Sequence, residues 1–245
     1  MHLQQNKLIA ALDVDNADLA VSLVTKLRHV AGMFKVGSQL FTAEGPAIIR
    51  RILEAGGSIF LDLKFHDIPN TVAAAATEAV RLGVSMFNVH ASGGREMMER
   101  AANAVRSEAL RLGTEPPILI GVTVLTSSNT ATLRETGVEA DLNSHVQSLA
   151  ALCHLSGLDG VVASPHEIAS IRGALNDPGF VIVTPGVRPA GIGHDDQKRV
   201  MTPGDAIRAG ASYIVVGRAI TATEDPVASA AAILDEIRAA EQPPS

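Results

Sequence analysis

The chain has 245 residues, 47% of them hydrophobic and 19% charged, enough to bury the core of one large α/β domain or two small ones. Its net charge of −6 offers no basic footprint for nucleic acid, so an anionic ligand would need a local positive site. The lone Cys153 excludes an intrachain disulfide and any zinc site built from several cysteines, which suits a reducing cytosol.

The opening run MHLQQNKLIAALDV has too short an apolar stretch for a signal peptide and carries Asp13 inside it; it predicts a first strand over 8–14. Further short apolar, β-branched runs predict strands over 33–37, 58–64, 86–91, 118–125, 160–164, 181–187 and 213–218. Between and after them, amphipathic Ala-rich and Leu-rich segments predict helices near 18–29, 45–55, 71–82, 95–112, 141–156, 166–175, 203–209 and 226–240. Cys153 lies in one of these, LAALCHL, where a small core residue is the simplest reading. No apolar run approaches membrane-spanning length, so a soluble cytoplasmic protein that does not engage membranes is expected. The unit is strand then helix, repeated eight times without a linker or composition break. Continuously apolar strands covered by helices are what a parallel sheet buried on both faces requires, and the repeat predicts an α/β fold, one (β/α)8 TIM barrel over 1–245. An open doubly wound sheet is the rival. However, no G-x-G-x-x-G turn follows the first strand, and the chain has no Walker-type loop. The tail EQPPS is expected to fray.

The segment FLDLKFHDIPNT (60–71) concentrates charge at the end of an apolar run. Strand residues two apart share a face, so Asp62 and Lys64 point one way while Leu61 and Leu63 point the other. Pro69 cannot continue a ladder, and Asn70 or Thr71 suits a helix cap, which leaves Asp67 in the joining loop. A structural Asp–Lys pair followed by an ordinary capping turn reads the same from this segment alone. The other strand ends contribute Asp13, Lys35, His90, Thr123, Thr126, Ser127, Pro185, Gly186, Arg188, Gly217 and Arg218. An interior barrel layer favours Val, Ile and Leu, so polar groups collected at the C-terminal rim point to function. Gly217 and Arg218 with the following Ala219, Ile220 and Thr221 form a turn where backbone N–H groups and a guanidinium can meet a phosphate, though a tight turn with a surface arginine has the same letters. The polar loop RPAGIGHDDQ (188–197) carries Gly191 and Gly193 and can fold over a ligand or simply be mobile.

Lys35, Asp62, Lys64 and Asp67 supply two cations and two anions. At about 4 Å and an effective dielectric of about 20, one unit-charge contact is worth roughly 4 kcal/mol, enough to matter to a barrier. A substrate carboxylate brought beside Asp62 would meet like charge, and its loss as CO2 would relieve the repulsion. Lys64 could then stabilise and protonate the carbanion left behind.

As an ordered set, FLDLKFHDIPNT, NVHASGG, VTVLTS, VTPGVRP and VGRAIT resemble the bacterial-type orotidine 5'-phosphate decarboxylase family, over about Leu8 to Ile237. The resemblance implies a (β/α)8 barrel that converts orotidine 5'-phosphate to UMP and CO2, the last step of de novo UMP synthesis. It implies no metal, flavin, pyridoxal phosphate or nicotinamide. It also implies that Lys64 is the proton donor, with Lys35, Asp62 and Asp67 completing the charge network. Asp13 would bind ribose hydroxyls with Lys35, and Thr126 and Ser127 would lie near the pyrimidine. Gln197 would bridge base and phosphate, with Arg188, Gly217 and Arg218 on the phosphate side; Ile68 and Pro185 are further substrate-binding candidates. Family members are homodimers in which Asp67 and Thr71 would reach the neighbouring subunit's site. A magnesium-dependent sugar-phosphate lyase or synthase also resembles the chain through Asp-x-Lys-x-x-Asp, but lacks the HDIPNT continuation and VTVLTS. A metal-dependent pentulose-phosphate epimerase would use His90 as ligand, where Lys35 and Lys64 would repel the cation. A non-catalytic phosphate-binding barrel would leave the charge cluster without a purpose.

Overall fold

The computed structural model describes residues 6–189 and 201–242. Eight parallel strands, β1 (Leu8–Ala11), β2 (Met33–Gly37), β3 (Ile59–Phe65), β4 (Met86–His90), β5 (Ile118–Val122), β6 (Gly160–Val162), β7 (Val181–Pro185) and β8 (Tyr213–Val216), close into a barrel in sequence order. Parallel neighbours need a crossover, and helices supply each one: α1 (Ala17–Leu27), α2 (Ser38–Glu44), α3 (Ala47–Glu54), α4 (Pro69–Arg81), α5 (Gly94–Leu112), α6 (Thr130–Glu135), α7 (Leu142–Leu155), α8 (Ile168–Leu175) and α9 (Pro203–Ala209). After β8 come α10 (Arg218–Thr221) and α11 (Pro226–Glu241). The expected barrel is the observed fold. All eight predicted strands exist, but the ladders of β1, β5, β6, β7 and β8 end two or three residues before the predicted runs do, because the residues beyond them leave the sheet for the rim.

Three helices escape the sequence pattern for a common reason. α2 buries only Leu40, α6 only Leu133 and α10 only Ile220, so none shows the repeated apolar stripe by which longer helices are read. α6 is fixed instead by its cap, Asn129 accepting from the Thr132 N–H at 3.0 Å.

Period-two alternation divides the strands between two cores. Ile9, Ala11, Met33, Phe60, Met86, Ile120, Val183 and Val215 fill the barrel interior, while Leu8, Ala10, Phe34, Leu61, Phe87, Leu119 and Ile182 face the helices. Cys153 packs where a Cβ on Gly121 would come within 2.2 Å of its sulfur, so the β5 glycine makes room for α7. Burial pushes its thiol up to about 12, consistent with a core residue. On the outside, α4 and α5 are joined by Glu108, whose carboxylate accepts from Arg81 Nε at 2.6 Å and from Arg111 Nη2 at 2.7 Å. The hydrogen bonds of Arg111 and Arg81 hold that carboxyl at about 2 against the contrary pull of desolvation. Among the described residues, no helix is long and apolar enough to cross a membrane.

Candidate active site

The barrel's inward apolar layer continues upward into a polar one. Ala11, Met33, Phe60 and Met86 point inward on the first four strands. Two residues further along the same face come Asp13, Lys35, Asp62 and Asn88. Lys35 Nζ lies 3.2 Å from Asp13 Oδ1 and 3.5 Å from Asp62 Oδ2, and Lys64 Nζ lies 2.6 Å from Asp62 Oδ1. The charges therefore alternate along one line, Asp13, Lys35, Asp62, Lys64. Exposure rises toward its ends: the side chains of Lys35 and Asp62 are each 13% exposed, Lys64 33% and Asp13 53%. Gly37 leaves space for this row, since a Cβ there would stand 3.1 Å from Lys35 Nζ.

Burial by itself raises the Asp62 carboxyl. The charge of Lys35, the hydrogen bond and charge of Lys64 and the hydrogen bond from Asn88 together outweigh it and hold Asp62 below its ordinary range. Asp62 is thus an ionised carboxylate at neutral pH in a confined place. His90, at the end of β4, is shifted the opposite way in charge: desolvation, then the neighbouring His66 and Lys64, lower its pKa and favour the neutral imidazole. The two imidazole rings lie 5.4 Å apart.

Lys64 reaches the row through an irregular strand. β3 pairs with β4 at Leu61 opposite Phe87 and again at Phe65 opposite Val89, so Asp62, Leu63 and Lys64 stand opposite Asn88 alone. Lys64 takes φ +52°, a left-handed conformation that costs a residue with a Cβ on the order of 1–3 kcal/mol. The simple two-residue alternation expected from the sequence is replaced by a bulge, yet the ammonium still meets Asp62. Asn88 fills the gap. Its Oδ1 accepts from the Lys64 backbone N–H at 2.8 Å and its Nδ2 donates to Asp62 Oδ1 at 2.7 Å. The sequence reading passed over Asn88 because an amide inside an apolar strand carries no charge. Its signal was register, two residues after Met86 and two before His90.

Asp67 does not join the row formed within one chain. It is exposed in the β3–α4 loop, where its Oδ1 accepts from the Ile68 N–H at 2.6 Å, and it forms no ion pair among the described residues. The second acid of the chain's own network is Asp13, which lies two residues past Ala11, the register partner of Lys35, and meets the Lys35 ammonium at 3.2 Å, whereas Asp67 stays exposed in the loop. Ile68 is 66% exposed beside it, and Thr71 is exposed in the first turn of α4. Thr126 and Ser127 are exposed in the loop after β5, above the buried Thr123. Pro185 closes β7, Gly186 follows with φ +80°, and exposed Arg188 donates its backbone N–H to Met201 O at 3.3 Å. Gly217 precedes α10, whose first residue is the exposed Arg218. Gln197 lies outside the described residues. Among the described residues, no group of three or more His, Cys, Asp and Glu side chains is placed to hold a metal ion. A cavity of about 450 Å³ at the opposite end of the barrel, bordered by Met33, Ile118 and Tyr213, has no lysine or arginine in its lining and no part in this network.

A closed parallel barrel with an alternating charge row at the C-terminal mouth defines a (β/α)8-barrel enzyme, since barrel enzymes assemble their sites on that rim. Comparison with known proteins then fixes the family. The chain belongs to the orotidine 5'-phosphate decarboxylase / HUMPS family, whose model matches residues 6–233. It is 57% identical over 238 residues to the orotidine 5'-phosphate decarboxylase of Moorella thermoacetica, covering 97% of this chain and 94% of the relative. It is 56% identical to the enzyme of the same name from Syntrophotalea carbinolica, covering 96% of each. Among solved structures, orotidine 5'-phosphate decarboxylase from Lactobacillus acidophilus superimposes with a TM-score of 0.84 at 38% identity, covering 95% of this chain and 99% of that one.

Proposed function

We propose that the chain decarboxylates orotidine 5'-phosphate to UMP and CO2 without a cofactor, with Lys64 as the proton donor. The observation that carries this reading is the contact of Lys64 Nζ with an ionised, confined Asp62 that Lys35 flanks from the other side. A pyrimidine carboxylate seated against Asp62 places two like charges together in a site poor in water, and breaking the C–C bond releases one of them as neutral CO2. The electron pair of that bond stays on the ring carbon. The Lys64 ammonium stabilises it and then donates one proton, leaving a neutral amine that regains its proton from solvent. Asp13 and Lys35, joined at 3.2 Å, would hold the ribose hydroxyls, with Thr126 and Ser127 toward the base. Arg188, Gly217 and Arg218 would take the phosphate and Pro185 would border it, while Gln197 would bridge base and phosphate. Binding energy from that remote group favours the transition state over the bound substrate.

The chain is further proposed to act as a cytoplasmic homodimer with shared sites. Asp67 is exposed and forms no ion pair with its own row among the described residues, while exposed Ile68 stands beside it and Leu125, 44% exposed, lies in the loop after β5. Asp67 and Thr71 would complete the network in the other subunit, giving it the second acid beside Lys64.

Incubating the purified protein with orotidine 5'-phosphate in the presence of EDTA tests the reaction. UMP should accumulate at the rate seen without EDTA. No UMP under either condition would refute the assignment, and UMP formation lost in EDTA and restored by magnesium would refute the cofactor-free part of the reading.

A further inference from the structure

We infer that Asn88 is a positioning residue that sets the geometry of Lys64 and Asp62 together; the inference deepens the decarboxylase reading and rests on it. Asn88 is fully buried on β4. Asp62 Oδ1 accepts from Asn88 Nδ2 at 2.7 Å and from Lys64 Nζ at 2.6 Å, while Asn88 Oδ1 accepts from the Lys64 backbone N–H at 2.8 Å. These bonds close a ring through one amide, one carboxylate and both ends of one lysine. Each end of the amide has a single fitting partner: a backbone N–H needs an acceptor, and an ionised carboxylate needs a donor.

The ring matters because the ladder offers Lys64 no regular partner. With Asp62, Leu63 and Lys64 opposite Asn88 alone, the Asn88 side chain stands in for the missing backbone acceptor and holds Lys64 at its left-handed φ. The same side chain fixes the carboxylate oxygen that the ammonium grips. An amide here acts on the reaction only through Lys64 and Asp62. The other charged or titratable groups around it are Lys35 on β2, Asp13 above β1, His90 on β4 itself and His66 beyond β3.

Asn88→Asp and Asn88→Leu separate this role from plain packing, with kcat and KM for orotidine 5'-phosphate measured against pH and thermal unfolding measured alongside. Misplacing reacting groups by about 1 Å costs on the order of 100-fold, so Asn88→Leu should lose about that much in kcat at every pH while KM changes little. Asn88→Asp should work best at acid pH, where a protonated carboxyl can donate to Asp62 and accept from the Lys64 N–H. Its kcat should fall about 10-fold or more as rising pH removes the proton shared with Asp62, a fall the wild type does not show. An Asn88→Asp profile parallel to that of the wild type would overturn the proposal, and so would losses confined to KM or to thermal stability. Asn88→Asp is isosteric and decides the matter even if Asn88→Leu does not fold. A wild-type protein that makes no UMP overturns the decarboxylase reading and this proposal with it, a result distinct from an active wild type with indifferent variants.

Discussion

Asp13, Lys35, Asp62 and Lys64 form one electrostatic unit because the two inner members are nearly buried and each charge faces its opposite within 3.5 Å. In the proposed reading Arg218, exposed at the start of α10, has the simpler task of gripping the substrate's remote phosphate. Arg218→Ala should therefore lower kcat/KM for orotidine 5'-phosphate roughly 10- to 100-fold, the worth of a hydrogen bond to a charged group, and leave the reaction of the bare nucleoside nearly unchanged. Equal losses on both substrates would show that Arg218 supports the fold or the reacting centre instead. Charge made most of this site legible: Asp13, Lys35, Asp62 and Lys64 are ions at the ends of apolar strands, where packing gives them no reason to be. Two residues resisted the same logic. Asp67 is near Lys64 in sequence but stays exposed in the loop before α4, bonded to the Ile68 N–H, and the course of a loop is not written in residue type. Asn88 is uncharged, and the bulge that makes it necessary lies in β3, so only the pairing of two strands exposes its purpose.

At the scale of elements, long segments declared themselves and short ones did not. α5 repeats its apolar face over 19 residues, whereas α10 has only four and takes its position from β8. The α4–α5 pair is clamped from outside by Glu108 between Arg81 and Arg111. A carboxyl lowered on folding contributes stability that is present above its ordinary value of 4.5 and is lost as pH falls through about 2. Glu108→Gln should accordingly lower Tm by several degrees at neutral pH, and the gap from wild type should close as pH falls toward 2, with kcat unaffected because the pair faces away from the mouth. Thermal melts across pH check it. No gap at neutral pH, or an undiminished gap in acid, would contradict this role for Glu108.

For the whole molecule, eight repeats of one unit left little freedom: parallel strands buried on both faces close into a barrel, and the C-terminal rim becomes the place where the polar strand ends converge. Association is less legible, because an exposed Ile68 is one apolar side chain among several on any surface. If Asp67 serves the partner's site, mixing inactive Lys64→Ala and Asp67→Ala proteins should restore about a quarter of wild-type activity, from heterodimers that each carry one intact site. Demonstrated subunit exchange without recovery would refute sharing. The central claim is that a lysine held by an ionised aspartate does the chemistry unaided. Its most direct measurement is the single-turnover rate of CO2 release from bound orotidine 5'-phosphate in EDTA, for the wild type and Lys64→Ala. The wild type should be indifferent to EDTA, and Lys64→Ala should bind the substrate yet release CO2 about 1,000-fold more slowly or worse. A wild type silenced by EDTA, or a Lys64→Ala protein that keeps its rate, would contradict the account.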